Sequence, residues 1–83
     1  MKIQVRYFAS IREALGATDS LDVAAGTTVA AARDALIGRD EAHAAALGRH
    51  RALRSALDQM LCDESTALRE GAELAFFPPV TGG

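Results

Sequence analysis

The 83 residues predict an α+β fold, a small mixed sheet with one main helix packed on one face. Three observations carry this. Apolar and polar residues alternate at Ile3, Val5 and Tyr7, at Leu21 and Val23, and again toward the end of the chain, the period of half-buried strands. The stretch with a helical inward face, Val29, Ala32, the alkyl stem of Arg33 and Leu36, lies between such runs. Too few residues separate the first two strands for a crossover, so that pair is antiparallel, and the later helix supplies the one crossover.

In chain order, Ile3, Val5 and Tyr7 alternate with Lys2, Gln4 and Arg6 to form the first strand. Ser10-Ile11-Arg12-Glu13 fits a capping box, with Ser10 bonding the Glu13 amide and Glu13 reaching back, and Gly16 stops a short helix. Leu21 and Val23 alternate with Ser20 and Asp22 in the second strand. Ala25-Gly26-Thr27-Thr28 turns the chain, Thr27 or Thr28 caps the main helix, and Gly38 ends it. The alanine-rich run from Glu41 to Leu47 has high helix propensity and Asp40 as its cap, but its thin apolar face marks a surface helix or extension. Arg49-His50-Arg51 with Arg54 forms a small basic cluster, read either as a solvated loop or as a contact for an acidic partner.

From about 54 to 61, Leu57, Gln59 and Leu61 oppose Ala56, Asp58 and Met60 in a third strand whose inward phase the pattern leaves open. Asp63-Glu64-Ser65-Thr66 is a polar turn, Leu68 enters the core, Gly71 suits a positive φ, and Glu73 to Phe77 forms the last strand. The order β-β-α-β-β is the outline of a ubiquitin-like β-grasp.

A single domain of this size buries only about 60 to 65% of its unfolded surface, which leaves room for a partner to add stability. The net charge of −2 and the lack of a Lys/Arg block argue against nucleic acid. No segment has the apolar length of a membrane span, and the start of the chain alternates where a signal peptide is continuously apolar, so a cytoplasmic location is expected. The lone Cys62 rules out an internal disulfide and fits a reducing compartment.

The chain closes on Phe76-Phe77-Pro78-Pro79-Val80-Thr81-Gly82-Gly83. Two prolines end the strand and stiffen its exit, and Gly82-Gly83 lacks the bulk that would stop it threading a narrow channel. This divides the chain into a domain over 1–79 and a flexible reactive tail over 80–83, against the plainer alternative of a frayed end. If Ile3, Val5 and Tyr7 face the helix, Phe8 points the other way, and so does Phe77 if Leu74 and Phe76 face inward. First and last strands are neighbours in a β-grasp, which sets Phe8 and Phe77 side by side as an exposed aromatic patch next to the tail.

These residues carry a resemblance. The opening run from Val5 to Gly16, the Gly26-Thr27-Thr28-Val29 turn, Leu57-Asp58-Gln59 and above all the stretch from Leu68 to Gly83 are similar to the small-subunit family of molybdopterin synthase. The match spans nearly the whole chain and is most specific at its end. Two departures stand out: Asp58 stands where the family usually shows asparagine, and the helix after Val29 is poorer in leucine.

The resemblance implies a sulfur carrier with no catalytic site of its own and no bound cofactor. An adenylating, ubiquitin-activating-like enzyme uses ATP to convert the Gly83 carboxylate to an acyl adenylate, and a sulfur donor protein turns it into a thiocarboxylate. The large subunit, with which such carriers form a heterotetramer, then uses that sulfur on cyclic pyranopterin monophosphate. On this chain Gly83 is the reactive residue, Gly82 the slender approach, and Pro78, Pro79, Val80 and Thr81 the arm, with Phe8, Arg12 and Phe77 at the partner interface. The alternatives are a sulfur carrier for another, thiamine-like pathway, a ubiquitin-like modifier conjugated through Gly83, and a binding module with an incidental tail. Cys62 has neither a base nor a cationic helix end beside it in the sequence, and His43 and His50 lack further ligands at metal-binding spacing. Asp58 reads as a surface charge or a turn-bonding residue.

Overall fold

The alternation of the first strand is met in full: along β1 (Lys2–Tyr7), Ile3, Val5 and Tyr7 are buried while Lys2, Gln4 and Arg6 are exposed. In the computed structural model, which describes residues 1–79, the chain continues through α1 (Ala9–Leu15), β2 (Thr18–Asp22), α2 (Val29–Ile37), α3 (Glu41–Leu47), β3 (Arg54–Leu57), β4 (Met60–Cys62) and β5 (Glu73–Phe77). The strands form one mixed sheet in the order β2-β1-β5-β3-β4. β1 pairs antiparallel with β2 and parallel with β5, and β5 pairs antiparallel with β3. This is the expected β-grasp, with the last strand in the middle of the sheet.

The core lies between the inner sheet face and the helices, where Ile3, Val5, Tyr7, Leu74 and Phe76 meet Ile11, Val29, Ala32 and Leu36. Thr28 caps α2 by accepting the Ala31 amide, and Gly38 follows its last turn. Leu68 is buried as expected, and Gly71 takes φ +76 just before β5, with its amide donating to the Lys2 carbonyl. Tyr7 donates to Asp19, and burial together with that carboxylate raises its phenol well above the ordinary value, so it stays a neutral donor.

Three expectations need correction. Ser10 does not cap α1: Phe8 stands at the N-cap with no side-chain bond, and the left-handed Ala9 (φ +54) starts the helix before Ser10 can occupy that place. The Ser10 hydroxyl instead accepts from Arg51. The run 54 to 61 is not one strand but the hairpin β3–β4, turned at Asp58 and Gln59, both left-handed (φ +49 and +68). A two-residue turn reverses the parity of the alternation, so Leu57 pairs with Met60 toward the inner side while Leu61 joins Ala56 on the outer side. Asp58 secures the turn as a bonding residue, accepting the Glu73 amide at 3.0 Å and Arg69 at 2.6 Å.

The third correction concerns α3, which is more than a surface extension. Asp40 caps it as expected, but Ala46 and Leu47 are buried in the core. Its missing apolar face is offset by Arg33, whose whole guanidinium, beyond the stem, is buried. Arg33 donates to the carbonyls of Leu47 (2.7 Å), Gly48 (2.9 Å) and Arg51 (3.0 Å) and to Glu64 (2.8 Å). Carbonyls left unpaired at the end of α3 are thus satisfied by a side chain of α2. Gly48 is required here, because a Cβ would come within 2.6 Å of the Ala44 carbonyl. The basic cluster dissolves in the same way: Arg49 pairs with Asp34 and Glu64, and Arg51 reaches Ser10.

Replacing Arg33 with methionine should lower unfolding free energy by roughly 3 to 5 kcal/mol, since it strands buried carbonyls and uncouples Glu64. Urea denaturation measures it, and a loss below about 1 kcal/mol would contradict this role. Glu64 should also give an acid limb to stability. Burial pushes its carboxyl up, but hydrogen bonds from Arg49 and Arg33 outweigh this and hold it below the ordinary 4.5. Its contribution is complete above pH 4.5 and is lost as pH falls through the depressed folded value, so Glu64→Gln should flatten stability against pH in that acid range.

Candidate functional site

The site is built where β5 runs out. Phe76 points inward and is 1% exposed, which forces its neighbours Ala75 and Phe77 to the outer face. Beside it, the Phe8 amide donates to the Phe76 carbonyl at 3.2 Å, extending β1–β5 pairing to the last turn before the prolines. The left-handed Ala9 then swings the chain into α1 and leaves the Phe8 ring on the outer side, 38% exposed. Arg6 lies over that ring at 5.4 Å and also approaches Glu73 at 3.9 Å. Phe8 and Phe77 therefore flank the point where the chain leaves the sheet.

Between them lies a shallow depression of about 450 Å³, lined by Arg6, Phe8, Ala56, Gln59, Glu73, Ala75 and Phe77. Its floor is explained by register: Ala75 faces Arg6 on β1 and Ala56 on β3, so two small side chains sit at the centre of the outer face among larger neighbours. Ala56 also pairs with Leu61 on β4, which is 66% exposed and carries the apolar row to the sheet edge. An apolar floor with an aromatic rim suits a partner's side chain better than a small polar ligand.

Of the residues expected at the interface, the structure brings Phe8 and Phe77 to one rim. Arg12 is exposed on α1 and does not line the depression. Pro78 is half-buried and Pro79 exposed, directly after β5. Val80, Thr81, Gly82 and Gly83 lie outside the described residues. Arg6, Ala56, Gln59, Glu73 and Ala75 were not expected at the site; the signal for Ala75 was its alternation with the inward Leu74 and Phe76, and the unrecognised hairpin obscured Ala56 and Gln59.

The other reactive side chains have structural partners. Cys62 is half-buried, and its carbonyl accepts from the Ser55 hydroxyl. His43 lies between Asp40 (2.7 Å) and Asp19 (3.3 Å). Among the described residues no three of His, Cys, Asp and Glu are gathered to hold a metal, and no helix is long and apolar enough to cross a membrane.

Comparison with known proteins agrees along the whole chain. The ThiS family profile matches residues 5–83. The chain is 43% identical over 82 residues to the molybdopterin synthase sulfur carrier subunit of Escherichia coli K12, covering 98% of this chain and 99% of that one. Among solved structures, SAMP1 from Haloferax volcanii superposes with a TM-score of 0.80 at 32% identity, covering 100% of both chains. One chain of the protein–protein complex of subunits 1 and 2 of the molybdopterin-converting factor from Helicobacter pylori 26695 superposes with a TM-score of 0.69 at 25% identity, covering 100% of this chain and 100% of that one.

The two faces of β5 should respond differently to truncation. Phe76→Ala is expected to cost roughly 3 to 5 kcal/mol in urea denaturation, and Phe8→Ala and Phe77→Ala each below about 1.5 kcal/mol. Equal losses at Phe76 and Phe77 would refute the outward assignment of Phe77.

Proposed function

The chain belongs to the ThiS family, and on that premise we propose that it is the sulfur-carrier subunit of molybdopterin synthase in molybdenum cofactor biosynthesis. The observation that carries this reading is the 43% identity over nearly its full length to a protein of that name. The apolar depression at the base of the tail supports it, being an anchor for a partner at the place from which a tail is delivered.

The large subunit of the synthase is the partner proposed for that face. The Helicobacter pylori relative, solved with its second subunit, supports such an assembly. Phe8 and Phe77 dock, Arg12 adds a charged contact from α1, and Pro78, Pro79, Val80 and Thr81 carry Gly82-Gly83 onward. An adenylating enzyme, using ATP, forms a mixed anhydride between the Gly83 carboxylate and AMP. A sulfur donor protein supplies sulfide equivalents that displace AMP and leave a thiocarboxylate. Its sulfur is nucleophilic without any cysteine side chain, which fits the partly buried, hydrogen-bonded setting of Cys62. Two loaded carriers in succession supply the two sulfurs that convert cyclic pyranopterin monophosphate to a dithiolene. The catalytic groups for that step belong to the large subunit, this chain binds no cofactor of its own, and the work takes place in the cytoplasm.

A second reading has its own support. SAMP1, a small archaeal modifier protein, shares the fold over the full chain, so conjugation through Gly83 to lysines of other proteins is the alternative. A thiamine-type sulfur carrier is a third member of the same class.

Intact-mass measurement after incubation with an adenylating enzyme, ATP and a sulfur donor should show one terminal oxygen replaced by sulfur, and deletion of Gly83 should abolish the change. An unmodified chain under conditions that load a control carrier would refute the proposal. Phe77→Asp should weaken large-subunit binding by roughly 30-fold or more, the size of a hot-spot loss, in titration calorimetry. Isopeptide adducts on many proteins, with no thiocarboxylate, would favour the modifier.

A further inference from the structure

An acyl adenylate reacts with any accessible neutral amine, so a carrier that passes through this state is exposed to capture by its own kind. The basic residues of this chain are eight arginines and one lysine, Lys2. A guanidinium stays protonated and is no acceptor for an acyl group, whereas a lysine amine is one whenever it loses its proton. The positive charges beside the end of β5, Arg6 opposite Ala75 and Arg54 opposite Phe77, are thus inert toward it.

We propose that Lys2 is the one side chain of this domain to which an activated tail, the Gly83 acyl adenylate of a second copy, is attached through an isopeptide bond. The inference rests on the activated-tail reading above. Lys2 is exposed at the start of β1 on the outer face, opposite Asp22 of β2. Among the described residues the ion pairs use arginine or histidine, so none of them holds the Lys2 ammonium. The other amine, at Met1, is engaged by the Val23 carbonyl at 2.7 Å in a partly buried position.

Geometry favours transfer between copies over transfer within one. β1 and β5 are parallel, with Tyr7 beside Phe76, so the tail leaves at the far end of β1 from Lys2, roughly 17 Å away along the strand. Six residues follow Phe77, at most roughly 20 to 22 Å when fully extended, so the length alone would span that distance. To reach its own Lys2 the chain must reverse at Pro78-Pro79, which ring-fixed φ angles and an extended path oppose. In the transfer the neutral Lys2 amine attacks the Gly83 acyl carbon. A C–N bond forms, the C–O bond to the adenylate phosphate breaks, AMP leaves, and the amine proton passes to solvent. No oxidant or reductant is needed.

The test incubates the full chain with an adenylating enzyme, ATP and Mg²⁺ but no sulfur donor, in parallel with and without hydroxylamine. Hydroxylamine traps an activated Gly83 as a hydroxamate and so reports the tail reading separately. A two-copy adduct that survives reduction and maps to a Gly83–Lys2 linkage is expected, increasing with protein concentration. Lys2→Arg should reduce it at least tenfold with the hydroxamate yield unchanged. The proposal is overturned if hydroxamate forms but no adduct appears, if the adduct persists in Lys2→Arg, or if reduction or hydroxylamine cleaves it, which marks a Cys62 thioester. Absence of hydroxamate overturns the activated tail and this inference together.

Discussion

The structure depends on the insertion of β5 between β1 and β3. A strand paired on both sides satisfies its backbone groups, and each of its flanking pairings ends near the last residue before the prolines, at Phe8–Phe76 and at Arg54–Phe77. The place where the chain leaves the sheet, at Pro78, follows from this. The inward Leu74 and Phe76 lock the strand to the core, and the same alternation turns Ala75 and Phe77 outward. The core-facing anchor of the last strand and the apolar depression are therefore two sides of one strand.

The second organising interaction is Arg33. A helix of seven residues with one strongly apolar position is a poor candidate for tight docking by burial alone. Arg33 compensates by donating to carbonyls that α3 and the following loop cannot pair for themselves, while Glu64 balances its charge from the turn before Leu68. One buried cation thus joins α2, α3, the loop toward β3 and the polar turn. Part of the hold of α2 on the neighbouring segments is therefore polar.

For a sulfur carrier the arrangement separates stability from chemistry. The ionisable side chains of the described domain are largely absorbed in structural pairs, Asp58 with the Glu73 amide and Arg69, and Asp19 with Tyr7, Arg39 and His43. Hydrogen bonds from the Glu73 amide and Arg69 hold the Asp58 carboxyl below its ordinary range, which is the behaviour of a turn-securing anion and not of a base waiting for a proton. What the domain offers a partner is shape and apolar surface beside the exit of its chain.

Sequence by itself determined the elements whose signal is local. The alternation of β1 and β5, the Thr28 and Asp40 caps, the glycine before β5, the inward face of α2 and the outward phase of Phe8 and Phe77 all follow from periodicity and backbone chemistry, and the terminal motif named the family. Tertiary structure decided what depends on contacts between distant residues. Ser10 lost its capping role because Ala9 could enter the helix from a left-handed turn. Residues 54 to 61 folded into a hairpin because Asp58 finds the Glu73 amide fifteen positions away. Arg33 went fully inside because carbonyls at 47, 48 and 51 converge on it, and no local pattern records where another segment's unpaired carbonyls will lie.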